Sequence, residues 1–205
     1  MSHKNEPRPR GRPRAFDAET VRAAALEAFW TNGFAGVSLD DIATETGVAR
    51  PSLAAAFGSK RDLYLSAVDR FVAQLGAAAK ATLTGERGLK DELAAFFEGA
   101  LALYLSGKNG PRGCLAVCTL PAEAAHDETI RKSLRATIEG TDAALRARFD
   151  LALRKRELKP SADIDALAQM AASLLFSLAI RARAGLPKKD LKALIDGGVG
   201  LLARA

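Results

Sequence analysis

Apolar side chains along this chain recur every three to four positions, in runs separated by glycine, proline and capping residues, and no run alternates in the two-residue rhythm of a strand. The pattern predicts an all-α protein. Val21, Ala24, Ala25, Ala28 and Phe29 line one face of a helix over Asp17–Asn32 that Gly33 stops. Leu39, Ile42, Ala43 and Thr46 follow Ser38, a favoured N-cap, with Asp40 and Asp41 in the first turn, where the helix dipole favours acids. Gly47 suits the left-handed end of that helix, and Pro51 suits the first turn of the next, which runs to about Phe57. Ser59, answered by Asp62 in a variant capping box, opens a longer helix to about Leu83. Beyond it the spacing predicts helices over Leu89–Ser106, Cys114–Leu120, Asp127–Arg156, Ala162–Ala184 and Lys188–Ala203, with a loop at 108–113.

The segment Ser38–Lys60 therefore reads as two short helices around a tight turn, backed by a third, which is the layout of a DNA-reading helix-turn-helix. Double-stranded DNA is the partner this implies. The helix start at Ser59 offers free amides to a phosphate, with Lys60 adding a full charge. The chain divides on this reading into an arm (1–14), a DNA-binding unit (15–62) and a helical remainder (63–205).

Phe34-Ala35-Gly36-Val37-Ser38, Asp41-Ile42-Ala43, Thr46-Gly47-Val48 and Phe57-Gly58-Ser59-Lys60-Arg61-Asp62-Leu63 together resemble the TetR/AcrR family of bacterial transcription regulators. The resemblance covers about the first third of the chain motif by motif, and the rest by helical pattern and length. It implies a homodimer with an N-terminal DNA-binding domain, and a larger C-terminal helical domain for effector binding and dimerisation. It also implies a recognition helix starting near Arg50, and a backbone contact from Lys60. Repression of a palindromic operator, relieved by a small-molecule effector, is the expected function.

Two departures from the family pattern bear on the DNA contacts. Ala49 stands where a capping serine is usual, and Ala54 and Ala55 where aromatic residues are usual. Direct readout from mid-helix is thereby confined to apolar contact, as between Ala55 and a thymine methyl. Ser38, Arg50, Pro51, Ser52, Ala55 and Lys60 are the candidate contacts of the helical unit, with Arg50 meeting either a base edge or only phosphate.

The arm carries a second DNA signal. Pro9-Arg10-Gly11-Arg12-Pro13-Arg14 is basic and nearly free of apolar residues, a composition that orders only on binding. Its Arg-Gly-Arg-Pro core resembles the AT-hook, which implies Arg10 and Arg12, flanked by Arg14, in an A·T-rich minor groove. A solvated basic tail is the competing reading. Net charge is +6, which favours polyanions without choosing among them.

With a charged, proline-rich start and two cysteines, a cytoplasmic setting is expected. No membrane association is expected, because the longest apolar run, Met170–Ile180, is interrupted by Ser173 and Ser177 and falls short of the ~20 residues a span needs. Ile164, Leu167, Ala171, Leu174, Leu175, Leu178 and Ala182 form one helical face, and Leu191, Leu194, Ile195, Val199 and Leu202 another. These are the candidate dimer interface, with Gly197, Gly198 and Gly200 allowing close backbone approach.

Phe96, Phe97, Tyr104, Leu115, Cys118, His126, Phe149, Met170 and Phe176 are candidate walls of an effector pocket between the central helices, or simply core. Cys114 and Cys118, four apart, are either packed thiols or an oxidant-sensing or electrophile-sensing pair that Arg112 would favour. No metal or cofactor is expected, because only His3 and His126 could complete a zinc site and no phosphate loop appears. Nor is an enzyme: His126 is the one histidine outside the arm, and no nucleophile motif is present. Two alternatives to a ligand-released repressor remain: a thiol-based sensor, and an architectural protein coating A·T-rich DNA.

Overall fold

The structure, a computed structural model, describes residues 16–107 and 110–204. Among the described residues nine helices and no strand occur: α1 (Ala18–Asn32), α2 (Leu39–Thr46), α3 (Arg50–Phe57), α4 (Lys60–Thr82), α5 (Leu89–Tyr104), α6 (Leu115–Ala124), α7 (Glu128–Arg154), α8 (Ile164–Arg183) and α9 (Lys188–Leu202).

Local signals set the N-terminal boundaries. Asp17 accepts from the first amides of α1, and Ser38 with Asp41 and Ser59 with Asp62 form complete capping boxes for α2 and α4. Gly47 ends α2 at φ 67°, ψ 13°, the left-handed conformation that costs glycine nothing. Ala49 gives α3 no side-chain cap, and Pro51 in its first turn fixes the backbone instead. Several later helix bounds depart from expectation, α7 ending at Arg154 and α8 beginning at Ile164, each two residues inside the expected range. α5 stops at Tyr104, two residues early, because the Tyr104 carbonyl accepts from Arg112 N (3.0 Å) and Gly113 N (3.1 Å). α6 continues through Pro121 to Ala124; Leu120 and Ala124 pack into the core on either side of the missing donor, so burial outweighs the lost bond.

One continuous apolar core runs through all nine helices. α1 to α3 close around Val21, Ala25, Phe29, Ile42 and Leu53, and Leu63 and Tyr64 of α4 cap that cluster before the rod continues into the larger bundle. α7 packs against α6 and α8, and α5 against α8 and α9. α8 is long and apolar enough to cross a membrane by composition, but one face of it packs against α5, α6, α7 and α9.

Most of the face assigned to the dimer interface is turned inward, although Ile164, Leu167, Leu174 and Leu194 are only half-buried. Ala171, Leu175, Leu178 and Ala182 of α8, and Leu191, Ile195, Val199 and Leu202 of α9, are buried in the subunit's own core. Helical periodicity finds the strongest apolar stripe, and in a bundle that stripe belongs to the core. A second stripe faces outward: Met170 is 64% exposed, Ile180 55% and Leu201 76%. Gly197 and Gly200 stand beside it with no heavy atom within 4 Å of where a Cβ would lie, whereas Gly198 lies against Leu174.

Candidate DNA-binding surface and central cavity

Leu53 anchors α3 in the core, so Arg50, Pro51, Ser52, Ala54 and Ala55 make its solvent face. Arg50 Nη1 donates to Asp40 Oδ2 at 3.1 Å, and both side chains are more than half exposed. Such a pair gains little in water, so DNA can take the guanidinium at small cost. The Ser38 hydroxyl is engaged with Asp41, whose carboxyl that hydroxyl and the Ser38 N–H hold below the usual range. Lys60 Nζ donates to the Phe34 carbonyl at 3.0 Å and sits 4.1 Å from the centre of the Phe34 ring. The phosphate seat expected at the start of α4 already holds a carboxylate: Asp62 Oδ2 accepts from Ser59 N at 2.8 Å. Arg10, Arg12 and Arg14 lie outside the described residues.

A cavity of about 210 Å³ opens between α4, α5, α7 and α8, walled by Val72 and Leu75, Phe96 and Tyr104, Thr137 and Thr141, and Leu175. Of the nine expected wall residues it uses Phe96 and Tyr104. Phe97, Leu115 and Phe149 are fully buried elsewhere in the core, and Phe176 and Cys118 pack against that core half-buried. His126 is exposed at the α6–α7 turn, and Met170 is on the outer face of α8. Apolar spacing marks such residues as inward or aromatic without saying which neighbours stand too far apart to touch. A larger polar cleft of about 590 Å³ lies between α1, α2 and the loop before α6, rimmed by Glu27, Asp41 and Glu45.

The cysteines do not form an activated pair. Burial pushes the Cys114 thiol up to about 12. Cys118 is raised by burial too, with the Arg183 charge opposing. Arg112, expected to favour a thiolate, instead stacks on Trp30 with its guanidinium 3.6 Å from the ring centre. Both thiols are packed and protonated at neutral pH.

Residues 21–67 match the family described as bacterial regulatory proteins, tetR family. A cysteine-substituted form of the TetR-family regulator CifR, solved with a 26-base-pair operator duplex, superposes with TM-score 0.82 at 30% identity, over 92% of this chain and 98% of that one. This chain belongs to the TetR family. It is thus a DNA-binding transcription regulator. The repressor ComR of Escherichia coli is 27% identical over 177 residues, 86% of this chain and 84% of the relative. FadR of Bacillus subtilis, solved with stearoyl-CoA, shares the fold at TM-score 0.75 and 20% identity, over 91% of this chain and 98% of that one.

In this TetR-family chain the DNA-binding unit is fastened to the bundle at two places. On α4, the Tyr64 hydroxyl and Thr119 Oγ1 of α6 are 2.7 Å apart, and Arg61 Nη1 donates to Asp127 Oδ2 at 3.1 Å. On α1, Trp30 Nε1 donates to the Gly113 carbonyl at 2.9 Å. Arg183 of α8 donates through Nη1 to the carbonyls of Trp30 (3.1 Å) and Arg112 (3.0 Å), and through Nη2 to Thr31 (3.3 Å). The Trp30 and Thr31 carbonyls lie in the last turn of α1, where carbonyls lack intrahelical partners and a cation meets the negative end of the dipole. Gly113 has φ +65°, and a Cβ there would stand 2.5 Å from the Ala179 carbonyl and 2.8 Å from Cys118 Sγ, so only glycine fits. Periodicity carried no sign of Trp30 or Arg183, because their contact joins residues 153 positions apart.

Proposed function

We propose that the chain is a homodimeric repressor that holds a palindromic operator through paired α3 helices and releases it when a small molecule enters the central cavity. In this reading residues 15–62 read DNA, residues 63–205 bind effector and partner, and the 1–14 arm lies in the adjacent minor groove. Operator DNA bound to CifR and the repressor role of ComR support it. The observation that carries it is continuity: α4, which follows the recognition helix across one short turn, is itself a wall of the cavity. α4 supplies Val72 and Leu75 to the cavity, and only Gly58 and Ser59 separate it from α3. Tyr104 walls the cavity while its carbonyl holds Arg112 and Gly113, and Gly113 holds Trp30 of α1. A ligand that wedges α4 from α7 would tilt both attachments and change the spacing of the recognition helices. It must bind the released form more tightly than the operator-bound form, since equal affinity shifts nothing. Work on DNA puts the protein in the cytoplasm.

Footprinting on the DNA flanking its own gene tests the proposal. A symmetric protected site, preferred by at least ~10³ over scrambled duplex at physiological salt, is expected; a shallow preference would instead indicate an architectural protein. Within that site Arg50→Ala separates two roles. A base contact predicts a loss of roughly 5- to 150-fold confined to sequences carrying the contacted base. A phosphate contact predicts a uniform loss, and a salt slope smaller by about 1.

Arg183→Ala tests the coupling. Its three carbonyl partners are lost together, and α1 is expected to loosen from α8. Effector-induced release should fall severalfold while the free protein still binds operator, as read by titrating effector against a preformed complex.

A further inference from the structure

The chemistry of the cavity wall restricts what can occupy it. None of its lining residues carries a formal charge. Its two threonine hydroxyls are already committed: Thr137 Oγ1 donates to the Ser133 carbonyl at 2.9 Å and Thr141 Oγ1 to the Thr137 carbonyl at 2.8 Å. A carboxylate or phosphate entering here would find no cation and, beyond the Tyr104 hydroxyl, no side-chain donor, and an ammonium would find no carboxylate. Either would lose its hydration without replacement. The threonine oxygens keep lone pairs, so a ligand can donate one hydrogen bond.

Size and access narrow the class further. A dry apolar cavity of about 150 Å³ accommodates benzene, so about 210 Å³ seats about eight non-hydrogen atoms by proportion. The open side lies at Gly76 of α4 and Gly140 of α7. Both glycines line the cavity, both are exposed, and neither has a heavy atom within 4 Å of where a Cβ would stand. Glycine inside a helix is unfavourable relative to alanine, and here it leaves the gap between the two helices unobstructed.

We propose that this cavity binds a small uncharged molecule of about eight non-hydrogen atoms, mostly apolar and with at most one hydrogen-bond donor, entering between Gly76 and Gly140. The ligand class rests on the cavity being the effector site, so binding and operator release are measured separately. Calorimetric titration of the full-length dimer would use four probes of similar shape: ethylbenzene, 4-methylphenol, benzoate and benzylamine. The two neutral compounds are expected to bind at least tenfold more tightly than the two charged ones. Gly140→Leu, which sets a side chain across the opening, is expected to weaken the neutral probes at least tenfold with operator affinity unchanged and the melting temperature no lower than the parent's; Gly76→Leu should do the same from the opposite helix. Charged probes binding as tightly as neutral ones, neutral probes failing to bind, or both leucine variants binding normally would overturn the proposal. Neutral probes that bind without loosening the operator would support the ligand class and overturn the effector reading.

Discussion

Replacing Leu201 with glutamate is expected to leave a folded subunit that no longer pairs and no longer holds its operator. Leu201 is 76% exposed at the end of α9, and Met170 and Ile180 of α8 are 64% and 55% exposed. Large apolar side chains this open lose stability unless another surface covers them, at roughly 25 cal/mol per Å². Gly197 and Gly200, on the same side of α9 as Leu201, leave room for a partner backbone to come close. A carboxylate at this position would give up its hydration in an apolar contact, which is strongly disfavoured. The subunit's own core should be indifferent, because it is packed from the other faces of α8 and α9. Separating the two subunits removes the intramolecular advantage of the second half-site, and avidity of that kind is worth on the order of 10²–10⁴ in affinity. Sedimentation should show monomer at micromolar concentration, circular dichroism an unchanged helix content, and gel shifts a loss of that order on the full operator. A variant that remains dimeric would place the interface elsewhere.

The sequence was most informative where structure depends on neighbours in the chain. Ser38 and Asp41, Ser59 and Asp62, and Gly47 are caps and stops whose meaning lies within four residues, and all of them form as their spacing implies. The helix-turn-helix was legible for that reason. The cavity and the dimer face were not, because they depend on which of several apolar stripes meets which neighbour. Phe96 and Phe97 are adjacent and equally apolar, yet one lines the cavity and the other is sealed in the core. Met170 sits in the most apolar run of the chain and faces outward. Charged residues that knit distant segments were the least visible. Arg183, Arg148 and Glu92 carry no periodic or motif signal; the fold brings Arg183 to carbonyls of α1, and Arg148 and Glu92 to each other across 56 positions.

Glu92 gives the second large effect. Its side chain is fully buried one turn before Phe96, and it gathers the α4–α5 turn around itself. Gly85 N and Glu86 N each donate to it at 2.8 Å, Arg87 N at 3.2 Å and Thr84 Oγ1 at 3.0 Å. Arg148 Nε of α7 donates at 2.6 Å, while Arg148 Nη1 reaches Glu157 at 2.9 Å. Glu92→Ala strands three backbone amides and a buried guanidinium at once, and breaking a buried pair in this way costs about 3–5 kcal/mol. For a chain of this size that is a fall in melting temperature of roughly 10 °C. Burial alone would raise the carboxyl, but Arg148 and the ring of N–H and hydroxyl donors outweigh it and hold the group at about 2, against an ordinary 4.5. The contribution of Glu92 is therefore complete above about pH 4.5 and fades as the pH falls toward 2. Glu92→Gln keeps the shape and removes the charge, so its stability should be lower than the parent's at pH 7, and the two should converge as the solution is acidified. Curves that stay parallel from pH 7 to pH 2 would show that the charge at Glu92 does not hold α5 to α7. The position of Phe96 and Tyr104 on the cavity wall would then have to come from packing alone.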